Sequence, residues 1–145
     1  MAAGWLVRGT TRSAGATEDI LAAGLEAAVA DPDRGATILD LVADVTLVYW
    51  LMASAVGDPE AVGALHGPRL ERALEKLVDT PVRGFVYEAA GSVPREDLER
   101  GGEIVRAAGE RWRIPVAVVE RGSGDWEGWT EAMLDAAERL IGGAA

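Results

Sequence analysis

The chain has 145 residues, 49% of them hydrophobic and 26% charged, a balance that suits one folded domain with a real core rather than a disordered chain. Acids number 24 against 14 lysines and arginines, and the resulting formal charge of −10 disfavours general nucleic-acid binding and attachment to anionic membranes. Cysteine is absent, which excludes disulfide frameworks and thiolate chemistry. No apolar run is long enough for a membrane span and no signal peptide opens the chain, so it reads as cytoplasmic.

In chain order, the apolar residues 5–7 predict a first strand that breaks into "RGTTRSAG", residues 8–15. Residues 17–23 predict a short alanine-rich helix, and residues 25–30 a second strand. A helix over 34–42, started by Asp33, carries Ile38, Leu39 and Leu41. Residues 45–51 predict the third strand, and 56–67 the longest irregular link. The helix over 68–78 lines up Leu70, Leu74, Leu77 and Val78, and a fourth strand follows at 84–87. Ser92-Val93-Pro94 starts a helix over 95–112 whose Leu98, Val105, Ala108 and Trp112 share a face. A fifth strand over 114–119 precedes a last helix, 126–141. On that helix Trp126, Trp129, Met133, Ala137, Leu140 and Ile141 recur at spacings of three and four, before Gly142-Gly143 ends it.

The five strand segments are near-continuous apolar runs rather than alternating ones, the pattern of strands covered on both faces. Strand and helix alternate throughout, which predicts an α/β domain with a mainly parallel sheet and right-handed crossovers. No internal repeat or low-complexity tract interrupts it.

Few side chains offer chemistry. His66, the lone histidine, has no partner at metal-ligand spacing and reads as a surface or turn residue. Lys76 is the sole lysine, and tyrosines occur only at 49 and 87. Acids at 18, 19, 96, 97 and 99 read as helix-start charges favoured by the dipole. Trp126 and Trp129 read as core or interface anchors rather than ligand-stacking rings, and the expectation is a homodimer whose contact includes the last helix.

The order of the motifs "VRGTTRS", "LEAAVADPDR", "DVTLVYWLMASA", "VRGFVYEAAGSV" and "IPVAVVERG" resembles the atypical, extended short-chain dehydrogenase/reductase-like proteins. These form an NAD(P)-binding Rossmann group that includes epimerase-like members, and the likeness spans residues 4–122. In that group the strand matching the first one here ends in the residues that choose the cofactor. Here Thr10, Thr11, Arg12 and Ser13 stand there without an acid, so the resemblance implies an NADP-type pocket. Arg12 would be the ligand of the 2′-phosphate, with hydroxyls beside it. Asp31 matches the acid near the adenine; it also reads as a cap or turn residue before Pro32. Ala53 and Ser54 match the small residues that let the cofactor approach.

Two departures qualify the likeness. The family's opening strand, its G-x-x-G-x-x-G turn and the helix that receives the pyrophosphate have no counterpart in these residues. The catalytic Tyr-x-x-x-Lys pair is also missing, since neither Tyr49 nor Tyr87 has a lysine four residues on. Without its central strand, a sheet of order 3-2-1-4-5-6 becomes, renumbered, a three-layer Rossmann-like or flavodoxin-like parallel sheet of five strands in the order 2-1-3-4-5. A flavodoxin-like FMN site fits less well: Arg12 occupies the hydroxyl position of its phosphate loop, and residues 56–67 and 91–94 hold no Phe, Tyr or Trp to stack on a flavin.

Two functional classes follow. One is an NAD(P)-binding reductase- or epimerase-like protein with weakened dinucleotide binding. The other is a non-catalytic binding or regulatory domain that acts through a partner. The expected ligand is a dinucleotide or other phosphorylated small molecule.

Overall fold

The computed structural model describes residues 8–11, 17–22, 26–29, 41–42, 45–122 and 124–142. Its elements in chain order are β1 (Arg8–Thr11), α1 (Thr17–Ala22), β2 (Glu26–Val29), β3 (Leu47–Trp50), α2 (Pro59–Ala64), α3 (Pro68–Leu77), β4 (Gly84–Glu88), α4 (Arg95–Trp112), β5 (Val116–Val119) and α5 (Trp126–Gly142). The strand expected at 5–7 and most of the helix expected over 34–42 lie outside the described residues. Residues 56–67 are not one irregular link: α2 lies within them, with Pro59 in its first turn and Val62 buried.

Every strand pairing among the described residues is parallel, and β4 is the centre of a three-stranded sheet ordered β3-β4-β5. All five residues of β4 are buried, because helices cover both faces of that sheet. Trp50, Phe85 and Tyr87 pack with Leu70, Leu74 and Val105 toward α3 and α4. Val86 and Val119 pack with Met133 and Ala136 of α5 on the other face. Tyr49 reaches the same face, where its hydroxyl donates to the Met133 carbonyl at 3.0 Å. Trp50 anchors the opposite side by donating its indole N–H to the Leu65 carbonyl at 3.0 Å.

The single five-stranded sheet of order 2-1-3-4-5 is not what the described residues form. β1 pairs with β2 alone, in a separate two-stranded parallel sheet, and β3 has β4 as its one strand partner. The physical reason is that each half is held by its own contacts. α1 closes on β1 so tightly that a Cβ on Gly9 would lie 2.9 Å from Ile20. Arg8 at the start of β1 pairs with Glu26 of β2 at 3.0 Å and donates to the Leu41 carbonyl at 2.7 Å. β3 is pinned through Tyr49 to α5 on one face and through Trp50 to the turn between α2 and α3 on the other. No described helix is long and apolar enough to cross a membrane.

Candidate functional site at the carboxyl ends of β3, β4 and β5

Parallel α/β sheets take ligands beyond the carboxyl ends of their strands, where loops and helix starts converge. Here β3 runs into Met52-Ala53-Ser54, β4 into Ala89-Ala90-Gly91-Ser92, and β5 into the turn that starts α5 at Trp126.

The first two loops interlock. Ala53 is fully buried, and its carbonyl accepts the Val93 N–H at 2.9 Å. A Cβ on Gly91 would collide with the Ala53 carbonyl, so only glycine permits this crossing. Ser54 is exposed, and its hydroxyl oxygen accepts the Ser92 N–H at 3.4 Å.

Glu88 ties this corner to the last helix. It is the final residue of β4 and only 5% exposed. One carboxylate oxygen accepts the Ala53 N–H at 3.2 Å and the other accepts the Trp129 indole N–H at 2.9 Å. A buried carboxyl with an N–H donor on each oxygen joins two strand ends to a helix start. Trp129 in turn stacks with Trp126, ring centroids 5.2 Å apart and planes 21° apart. Trp126 is 65% exposed, whereas Trp129 packs partly buried against Val86, Val119 and Met133.

Behind the rim lies a second polar arrangement. His66 does lie in a turn, between α2 and α3, but it is fully buried rather than at the surface. Its Nε2 faces the Met52 carbonyl at 2.9 Å and its Nδ1 faces the Tyr87 hydroxyl at 2.6 Å. A carbonyl only accepts, so Nε2 carries the proton and Nδ1 accepts from Tyr87. Burial pushes the imidazole below its ordinary pKa and pushes the Tyr87 phenol well above its own. Arg100 braces the pair from α4 by donating to the His66 carbonyl at 3.4 Å and the Gly63 carbonyl at 2.8 Å, and it pairs with Asp97 at 3.2 Å. Tyr49 and Tyr87 thus both spend their hydroxyl hydrogens on acceptors inside the fold.

Of the residues expected to hold a cofactor, the structure brings Ala53 and Ser54 to this rim. Thr10, exposed, and Thr11 lie on β1 in the other sheet. Arg12, Ser13 and Asp31 lie outside the described residues. Glu88, Gly91 and the His66–Tyr87 pair escaped the sequence reading. A usable signal existed for one of them, an acid closing the all-apolar run "GFVYE". A groove of about 700 Å³ along β5 and α5 adds Arg121 and Arg139 beside Glu120, Asp135 and Glu138, a mixed-charge lining. No group of three or more potential metal ligands occurs among the described residues.

No protein-family model and no curated protein matches the sequence. Solved structures do match the fold. The chain is similar to the crystal structure of gox2253, with a TM-score of 0.64 and 16% identity over 82% of this chain and 44% of that one. It is also similar to the Citrobacter sp. triphenylmethane reductase complexed with NADP(H), with a TM-score of 0.57 and 13% identity over 79% of this chain and 39% of that one. The chain thus spans less than half the length of either. Likeness at that identity is likeness of fold, an α/β architecture of Rossmann type.

Proposed function

We propose that the chain is a Rossmann-like NAD(P)-binding protein of reductase type that holds its dinucleotide weakly and prefers NADPH to NADH. The observation that carries this reading is the fold shared with a reductase solved with NADP(H). Sequence chemistry supports the cofactor preference: Arg12 follows β1 with Thr11 and Ser13 beside it and no acid to favour a ribose hydroxyl. Small residues at the rim, Ala53 and Ser54 against Gly91 and Ser92, fit close approach of a ligand backbone. Among these 145 residues no G-x-x-G-x-x-G turn stands to cradle the pyrophosphate, which supports weak binding by these residues on their own.

In this reading the chain alone turns over no carbonyl or sugar substrate. Proton relay needs a presented acid, and both tyrosine hydroxyls are committed to Met133 and His66. That commitment also favours the second reading, a non-catalytic binding domain acting through a partner. A thermal-shift titration against NADPH, NADH and FMN tests the proposal. Stabilisation by NADPH above NADH, with none by FMN, supports it; no response to either nicotinamide cofactor leaves the partner-binding reading.

A further inference from the structure

The geometry points to the exposed face of Trp126 as a stacking platform for a planar aromatic cation. Trp50, by contrast, is 4% exposed, whereas Trp126 leaves 65% of its surface in solvent at the head of α5. Its inner face is already occupied by Trp129 at 5.2 Å. Trp129 cannot drift, because Glu88 holds its indole N–H at 2.9 Å while also holding the Ala53 N–H at 3.2 Å. The outer indole therefore rests on a base fixed to the ends of β4 and β3, and a ring landing on it meets a preorganised surface. The pair also sits at the carboxyl end of the sheet, where this architecture takes small molecules.

Charge selects the ligand class. An indole face is the negative side of the ring quadrupole and attracts cations. Asp125 and Glu127 flank Trp126 in sequence and are exposed, with Asp125 fixed by accepting the Gly128 N–H at 3.3 Å. Arg121 reaches the same helix start near Asp125, and Glu120 pairs loosely with Arg106 at 3.9 Å, so of the two acids flanking Trp126 it is Glu127 that makes no ion pair among the described residues. A pyridinium-like ring gains both stacking and Coulomb attraction there, a neutral ring gains stacking only, and an anionic ring is repelled. The ring alone is tested here, so the inference does not depend on the dinucleotide reading, although an oxidised nicotinamide ring belongs to the same ligand class.

The test uses three rings of nearly one shape: 1-methylnicotinamide, a cation; nicotinamide, neutral; and nicotinate, an anion. Each is titrated into the full chain while NMR follows the indole N–H signals. The expected result is saturable movement of the Trp126 and Trp129 signals, with Trp50 and Trp112 unmoved. The cation should bind about two- to fivefold more tightly than nicotinamide, and nicotinate more weakly still. Trp126→Ala abolishes the response and Trp126→Phe keeps part of it. Equal response to all three rings, no response, or a response unchanged by Trp126→Ala overturns the proposal. So does sedimentation showing a dimer that Trp126→Ala dissolves, because the ring would then belong to a contact between copies of the chain. NADPH binding with no preference for the ring cation would sink this inference and leave the dinucleotide reading intact.

Discussion

The Tyr87 hydroxyl donates to His66 Nδ1 across 2.6 Å, and neither side chain touches solvent. The bond joins β4 to the turn between α2 and α3, residues 21 apart in sequence. Replacing Tyr87 with Phe leaves a buried ring nitrogen without its donor, which should cost about 1–3 kcal/mol. Urea denaturation reads it directly, and an unchanged midpoint would mean that the pair contributes nothing.

The same pair makes stability depend on pH. Burial lowers the folded-state pKa of His66 from its ordinary 6.5, so on acidification the unfolded chain takes up this proton before the folded one does. The contribution is full above 6.5 and declines as pH falls below it, ahead of the carboxylates that protonate below about 5. At the alkaline end, burial raises both tyrosine pKa values above 10.0, so stability falls as pH rises past that point. Denaturation series at stepped pH should show both slopes, with the acidic one reduced in His66→Gln.

Gly101 and Gly102 are adjacent on α4 and should respond oppositely to alanine. A Cβ on Gly101 would run into the Tyr87 hydroxyl, whereas one on Gly102 meets nothing nearer than Val118 at 3.5 Å. Helix propensity favours alanine at both sites by up to about 1 kcal/mol. At Gly101 overpacking against an immobile ring should outweigh that gain and destabilise by about 1–3 kcal/mol. Gly102→Ala should be neutral or stabilising. Thermal midpoints of the two variants decide it, and equal shifts would contradict the account.

Glu88→Gln keeps the size of the side chain but replaces one acceptor oxygen with an N–H₂ group. That group must then face either the Ala53 N–H or the Trp129 indole N–H. The loss should be about 1–3 kcal/mol, together with looser packing of the two indoles. Near-ultraviolet circular dichroism and urea denaturation on one sample report both effects, and a variant matching wild type in both would remove Glu88 from its tethering role.

How far the chain could be read in advance follows from which signals are local. The apolar runs at 84–87 and 114–119 contain most of β4 and β5, and the periodic stripes at 68–78, 95–112 and 126–141 match α3, α4 and α5 closely. These features lie within a few residues of one another. α2 escaped because "PEAVGA" is short and mostly small, with one buried side chain. The burial of His66 was not legible because its partners, Met52 and Tyr87, are brought to it by the sheet rather than by neighbouring sequence. The separation of β1-β2 from β3-β4-β5 was illegible for the same reason: strand neighbours are chosen by which helices dock where, and no pattern within a strand encodes that choice. At the site, Ala53 and Ser54 were legible as small residues at a strand end, while the glutamate that organises them looked like an ordinary polar terminus.

The proposed preference for NADPH over NADH rests most heavily on Arg12. Calorimetric titration of wild type and Arg12→Ala with NADPH and NADH is the most direct measurement. The account predicts weak binding in which NADPH exceeds NADH, and an Arg12→Ala variant that loses this preference by about 1.5–3 kcal/mol, the worth of a hydrogen bond to a charged group. Tight NADH binding that Arg12→Ala leaves unchanged would contradict it.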